Sequence, residues 1–208
     1  MKKLLIPFFV LVISLNISSQ NGRNGPSLWE EIRANSNLNY DNTKPQIIEA
    51  LKKYDSHQYL INRLSKNGQR YLFYTVSEAL KRDLPVELSL IPFIESQFDP
   101  YAQSSTGASG IWQFIPSTAI ENGLKKNWWY DARRDIVAST EAAYNFLVKL
   151  HQEHNDWLIA IAAYNAGPSR VRKEIRKNKA KGLPTDFWSL NLPKAVSYTH
   201  LRAHETYP

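Results

Sequence analysis

The chain has 208 residues, of which 43% are hydrophobic, 12% aromatic and 22% charged, with a formal net charge of +7. This composition is typical of a globular protein and excludes a collagen-like, coiled-coil or wholly disordered chain. Cysteine is absent, so disulfides, thiolate metal sites and cysteine nucleophiles are excluded as well.

The N-terminus has the pattern of an export signal. Lys2 and Lys3 precede an apolar run from Leu4 to Ile13, and small polar residues follow. This run is shorter than the roughly 20 apolar residues that span a bilayer, which favours a cleaved signal peptide over a membrane anchor. We therefore expect residues 1–20 to be removed and the mature protein to be exported to the periplasm or cell envelope. The positive charge of an exported protein favours binding to anionic envelope polymers or lipid headgroups. A charge that only keeps the protein soluble is the alternative.

The next segments predict short helices. Residues 21–43 are rich in Asn, Ser and Gly, which predicts a loose leader with one short helix near 29–33. Apolar residues at helical spacing predict helices over 45–54, 59–64 and 69–81. From Val86 to Ile94 the chain is apolar almost all round, which predicts a buried helix that Pro92 kinks.

The second half of the chain carries clear helix boundaries. Pro116 opens a short helix that ends at Asn122. Asp135 is a suitable N-cap for a long helix reaching about His151, and Asp156 for another over 157–164. No convincing alternating strand pattern is present, so the sequence predicts an all-α fold.

Three segments combine residues that suggest carbohydrate chemistry: 94–100, 107–116 and 162–168. In the first, Glu95 ends an apolar helix, where desolvation should raise its pKa and let it donate a proton near neutral pH. In the second, a glycine loop leads to Trp112 and Gln113, an indole and an amide that suit a sugar ring. The third supplies Tyr164 and Asn165.

In this order and spacing, the three segments resemble the catalytic domain of the lytic transglycosylases with a goose-type lysozyme fold, most of all the membrane-bound lytic murein transglycosylases of the D type. The resemblance covers about residues 84–194 and includes 130–135 and 185–190. It implies that Glu95 is the single catalytic acid and base. It also implies substrate contacts from Ser104, Gln113, Ile115, Tyr164 and Asn165.

The resemblance further implies what the enzyme acts on. The expected substrate is a peptidoglycan glycan strand, cut between N-acetylmuramic acid and N-acetylglucosamine with a 1,6-anhydromuramic acid end as product. The substrate's own acetamido group replaces the second carboxylate of ordinary glycosidases. We expect no cofactor, no metal and no nucleic-acid partner. We also expect a monomer, which could associate peripherally with the envelope.

Simpler interpretations of the same residues stay open. Glu95 could be a structural acid, and Asp99 is the nearest alternative acid, although Asp-Pro is a common turn. Trp112, Phe114 and Tyr164 could belong to the core. The other tryptophans considered are expected in the core: Trp128, Trp129, Trp157 and Trp188. His151 and His154 share a helix face without an evident third ligand, which favours a solvated helix end over a metal site.

The resemblance predicts a catalytic domain over 84–194, preceded by a leader and helical extension over 21–83. The family pattern breaks afterwards, with Ala195 in the place of an acid and Thr199 in the place of a tyrosine, so residues 195–208 are expected to be an artefactual tail. Three alternative functions are a muramidase of the same fold, a non-catalytic peptidoglycan-binding protein and a helical protein-interaction module.

Overall fold

The computed structural model describes residues 27–38, 43 and 68–192. The predicted signal peptide, the predicted helices over 45–54 and 59–64, and the tail over 195–208 lie outside these residues. Within them the chain forms seven α-helices and one 3-10 helix: α1 Leu28–Ala34, α2 Gln69–Lys81, the 3-10 helix Val86–Leu90, α3 Ile91–Ser96, α4 Pro116–Glu121, α5 Ile136–His154, α6 Trp157–Ala166 and α7 Pro168–Ala180.

Side-chain caps begin α5 and α6 as predicted. The Asp135 carboxylate accepts hydrogen bonds from the first free amides of α5, and Asp156 does the same for α6. These bonds satisfy donors that have no partner within a helix. Helix α5 continues three residues past the predicted end at His151, until Asn155 adopts the left-handed conformation (φ 51°).

The buried segment after α2 differs from its prediction in one respect. Residues 86–93 are all buried, as the apolar pattern indicated. However, the segment is not one kinked helix, because the 3-10 helix ends at Leu90 and α3 starts anew at Ile91. Pro92 lies in the first turn of α3, where its missing N–H costs no helical hydrogen bond. The predicted kink is therefore wrong.

The core is built around α6, which is buried along most of its length and packs between α5 and α7. Tyr144 of α5 is fully buried, and its hydroxyl donates to the Thr75 carbonyl oxygen at 2.7 Å, which ties α5 to α2. The described residues contain only isolated β-bridges and no strand, which agrees with the all-α prediction. No helix among these residues is long and apolar enough to cross a membrane.

The tryptophans divide between the interior and the surface. Trp157 and Trp188 are partly buried and pack against the core. Trp128 and Trp129 are 86% and 71% exposed, so the prediction that they are core residues is wrong. They lie in the connection between α4 and α5, where no periodic pattern indicates which side chains face inward.

Candidate active site

Glu95 lies in the last turn of α3, where the chain reverses sharply. Gln97 and Phe98 both adopt positive φ angles, of 55° and 60°, and end the helix. The Phe98 ring is buried beneath the turn. The hydroxyl of Ser96 donates to the Ile111 carbonyl oxygen at 2.9 Å. This bond fixes the end of α3, and with it Glu95, against the loop that carries Trp112.

The carboxyl of Glu95 is half-buried and makes no hydrogen bond or ion pair with the residues that the structure describes. Burial therefore disfavours its charged form without compensation and raises its pKa from 4.5 to about 7. A group with this pKa holds a proton over part of the neutral range and releases it readily, which suits a general acid that later acts as a base.

The loop beside Glu95 is closed by Ser104. Its hydroxyl oxygen accepts from the Ala108 amide at 2.9 Å and lies 2.9 Å from the Thr106 hydroxyl. The backbone amide of Ser104 also donates to the Ala108 carbonyl oxygen at 2.9 Å. Ser104 thus shapes the turn, and the substrate contact predicted for it stays a prediction.

Gln113 is held in the left-handed conformation (φ 49°) by its own side chain. Its Nε2 donates to the carbonyl oxygens of Ala102 at 3.1 Å and Gly110 at 2.9 Å. The Oε1 makes no hydrogen bond within the described residues and is the amide atom available to a ligand. Ile115, two residues further along the chain, has an apolar side chain that is 43% exposed.

Trp112 belongs to the interior rather than to a sugar platform. Its side chain is 0% exposed, and its Nε1 donates to the Thr140 hydroxyl at 2.9 Å. Phe114 is buried as well. For both residues the core alternative is therefore the correct one, and the expected stacking of Trp112 on a sugar is wrong.

Tyr164 joins the third motif to the second. Its hydroxyl donates to the Trp112 carbonyl oxygen at 2.7 Å, and its ring contacts those of Trp112 and Phe114. Burial, and secondarily the nearby carboxyl of Glu95, raise the pKa of Tyr164 well above its usual value. Glu95 therefore lies within electrostatic reach of Tyr164. The neighbouring Asn165 donates from Nδ2 to the Ile161 carbonyl oxygen, and its Oδ1 is not engaged within the described residues.

A buried ion pair that the sequence analysis did not single out holds the loop. Arg133 is 4% exposed, and its Nη2 lies 2.7 Å from a carboxylate oxygen of Asp131. Its Nη1 donates to the carbonyl oxygens of Gly107 at 2.7 Å and Phe114 at 3.1 Å. The guanidinium therefore spans both ends of the glycine loop, as its planar fork of donors allows.

Gly110 shows how closely the two segments approach. A Cβ at this position would lie 1.7 Å from the Arg133 carbonyl oxygen, so no other residue fits without moving the backbone. The only signal in the sequence was that both segments belong to the stretches that carry the family resemblance. Sequence spacing alone does not indicate that they touch.

The described residues contain no group of three or more histidine, aspartate or glutamate side chains that could hold a metal ion. Both histidines lie in the last turn of α5, which agrees with the predicted helix end, but neither is fully solvated. The His151 ring stacks on Trp157, with centroids 4.0 Å apart. His154 has a side chain that is only 7% exposed and lies 3.7 Å from a Glu153 oxygen.

Comparison with known proteins matches residues 75–186 to the family model described as the transglycosylase SLT domain. The chain belongs to this family. The match supports the lysozyme-like helical fold and agrees with the all-α architecture seen here.

Two curated relatives add detail. The chain is 46% identical over 150 residues to membrane-bound lytic murein transglycosylase D of Escherichia coli strain K12, covering 72% of this chain and 33% of the relative. It is 42% identical over 143 residues to a putative tributyltin chloride resistance protein of Alteromonas sp., covering 68% of both. The resemblance to the D-type lytic transglycosylases is confirmed. The chain spans about a third of the E. coli relative's length.

Among solved structures, an inactive mutant of the lytic transglycosylase Slt from Pseudomonas aeruginosa is 26% identical, with a TM-score of 0.43. That match covers 72% of this chain and 24% of the other.

Proposed function

We propose that this chain is a peptidoglycan lytic transglycosylase that uses Glu95 as its single acid and base. The observation that carries the proposal is a half-buried carboxyl with a pKa of about 7, within electrostatic reach of Tyr164 and on a helix end that Ser96 bonds to the loop carrying Trp112. Membership of the transglycosylase SLT family supports the reaction class. The substrate is a glycan strand of peptidoglycan, since the E. coli relative is named a murein transglycosylase.

The reaction needs only one carboxyl because the substrate supplies the other groups. Protonated Glu95 gives its proton to the oxygen that joins C1 of N-acetylmuramic acid to N-acetylglucosamine, and that bond breaks. The oxygen of the 2-acetamido group then bonds to C1 and takes up the positive charge as an oxazolinium. The carboxylate of Glu95 next removes the proton of the C6 hydroxyl. The C6 oxygen then bonds to C1 as the bond between C1 and the acetamido oxygen breaks, which leaves a 1,6-anhydro end, a neutral acetamido group and protonated Glu95.

The electrostatics of the site support a lone acid. Burial is the cause of the raised pKa of Glu95, and no charged side chain of the described residues contributes to it. A second carboxylate nearby would raise this pKa further by repulsion and would serve an ordinary hydrolytic mechanism. The attacking C6 hydroxyl belongs to the same sugar, so its effective concentration far exceeds that of an oriented water.

The remaining site residues have supporting roles in the proposal. The free amide oxygens of Gln113 and Asn165 accept hydrogen bonds from sugar hydroxyl or amide groups, and the exposed side chain of Ile115 offers an apolar contact. Ser104 contributes through the turn that it closes. The catalytic unit spans 84–194 and follows an N-terminal extension over 21–83. The protein acts as an exported, envelope-associated monomer without a cofactor.

Product analysis tests the proposal. Purified peptidoglycan is digested with the full chain, and the released muropeptides are weighed by mass spectrometry. We expect 1,6-anhydro ends, each lighter than a reducing end by one water. The Glu95→Gln chain should release about 10³-fold less while it still sediments with peptidoglycan. Reducing ends would instead assign a muramidase, and equal release by the two chains would remove Glu95 from its role.

A further inference from the structure

The exposed Trp128 and Trp129 take no part in the proposed mechanism. Their ring centroids are 4.2 Å apart in an edge-to-face arrangement. Because both indoles are exposed, the folded chain lacks the stabilisation that burial of their large apolar area would give. Contiguous exposed apolar surface of this kind marks an interaction site.

The loop that carries the two indoles is rigidly built. The Asn127 side-chain oxygen accepts from the amides of Trp129 at 3.1 Å and Tyr130 at 2.8 Å. The Asn127 amide donates to the Tyr130 carbonyl oxygen at 2.8 Å, and Ala132 bonds back to Lys125 at 2.9 Å. A backbone fixed in this way presents the indoles without a large entropy cost on binding.

A cavity of about 330 Å³ opens beside the same loop and includes Lys125 and Tyr130 in its wall. Its volume lies at the lower end of the range for small-ligand sites. The rest of the wall includes polar side chains of α5 and of the end of α4, among them Asn122, Glu141 and Asn145. None of the site residues around Glu95 lines it.

The polar groups of the cavity are available to a ligand. Lys125 and Glu141 make no ion pair within the described residues. The Asn145 Oδ1 accepts from Arg82 at 3.2 Å, which leaves its Nδ2 as a donor. The cavity therefore offers an ammonium, a carboxylate and an amide beside the loop that carries the two indoles.

We propose that Trp128, Trp129 and this cavity form a second carbohydrate-binding site, separate from Glu95, that holds an amino-sugar strand. The apolar face of a pyranose packs on an indole, while amide and carboxylate groups bind its hydroxyl and acetamido edges. Lys125 suits the carboxylate of a lactyl group. A lipid surface would account for the indoles but has no use for a polar cavity beside them. The identity of the glycan as peptidoglycan rests on the proposed function.

Binding without turnover tests this site. In the Glu95→Gln chain, the fraction that sediments with purified peptidoglycan is measured as a function of peptidoglycan concentration. Adding Trp128→Ala and Trp129→Ala should weaken binding about tenfold, as the loss of a central aromatic anchor commonly does. Adding Phe73→Ala, which removes an exposed aromatic ring from α2, should leave binding unchanged.

A second measurement addresses the cavity and its ligand directly. A soluble β-1,4 trimer of N-acetylglucosamine is titrated into the full chain while the indole N–H signals are followed by NMR. The signals of Trp128 and Trp129, assigned with Trp→Phe variants, should shift, and Glu141→Ala should weaken the titration.

Three results would overturn the second site. The first is that Trp128→Ala and Trp129→Ala leave sedimentation with peptidoglycan unchanged. The second is that Phe73→Ala weakens sedimentation as much as they do. The third is that the two tryptophan substitutions abolish binding to phosphatidylglycerol vesicles and leave binding to peptidoglycan intact. Failure of the proposed function would appear separately, as absence of 1,6-anhydro ends from the unsubstituted chain.

Discussion

Glu87 and Glu95 lie on the same buried stretch of chain but have opposite surroundings. Glu87 is 0% exposed in the 3-10 helix, and its Oε1 accepts from the Ser36 hydroxyl at 2.6 Å and from the Leu38 amide at 2.9 Å. Glu95 is half-buried in α3 and has no such donor among the described residues. The first carboxyl joins the N-terminal segment to the domain, whereas the second is left free for the proposed reaction.

The contrast shows that burial alone does not make a catalytic acid. A buried carboxyl whose oxygen accepts hydrogen bonds from another segment, as in Glu87, serves structure. A carboxyl that is desolvated without donors retains its proton to higher pH and stays free to give it away. The distinction depends on neighbours distant in sequence, here 51 and 49 residues away for Glu87.

The largest expected effect separates the two acids by activity. Glu95→Gln should lower kcat for peptidoglycan cleavage by about 10³-fold, within the range that general acid–base catalysis contributes. Glu87→Gln, the matched change, should leave kcat unchanged at a temperature where the chain is folded, since the Gln Oε1 can accept the same two bonds. Release of labelled muropeptides measures both. A comparable loss of kcat in the two variants would break the comparison.

The next effect is a pH dependence of stability that belongs to Glu95. Between pH 4.5, where an unfolded carboxyl titrates, and about 7, the folded chain holds a proton that the unfolded chain has lost. The free energy of unfolding therefore falls as the pH rises through this window, by at most about 3 kcal/mol. Urea unfolding at pH 4 and pH 8 should reveal this fall, and Glu95→Gln should abolish Glu95's share of it. An identical pH profile in the two chains would contradict the raised pKa.

Removing the Glu87 carboxyl should cost stability rather than activity. Glu87→Ala leaves the Ser36 hydroxyl and the Leu38 amide without their acceptor, which should lower the free energy of unfolding by about 2 kcal/mol. Glu87→Gln should cost less than half of this amount. Urea unfolding at pH 7 compares the two variants. If Glu87→Gln lowers the free energy of unfolding as much as Glu87→Ala does, the acceptor oxygen does not account for the contribution of Glu87.

The smallest effect concerns a single donor. Ser36→Ala removes one of the two bonds to Glu87 and should lower the free energy of unfolding by about 1 kcal/mol. Ser105→Ala, an exposed serine on the loop beside the site, serves as the control and should change it little. If the two variants are equally stable, the link between the N-terminal segment and Glu87 contributes nothing measurable.

The sequence predicted most of the described helices because their signals are local. Asp135 and Asp156 cap helices through donors two and three residues away, and the apolar run from Val86 predicts burial directly. The break before α3 was missed because a proline within an apolar run is equally compatible with a kink and with a new first turn.

The candidate site was only partly predictable for the same reason. The raised pKa of Glu95 followed from its place at the end of an apolar helix. The Arg133 clamp and the acceptor role of Glu87 were missed, because both depend on backbone groups brought close by the fold. Trp128 and Trp129 were misplaced since a large apolar side chain in a loop gives no periodicity from which its direction can be judged.

The hydrogen bond between the Tyr164 hydroxyl and the Trp112 carbonyl oxygen depends on the folded chain. It joins parts of the chain 52 residues apart, so it forms only when α6 has docked on the loop beside Glu95. In the unfolded chain Glu95 is an ordinary solvated carboxyl, which is ionised at neutral pH. Under the proposed function, Glu95 therefore becomes a proton donor only as the surrounding structure desolvates it.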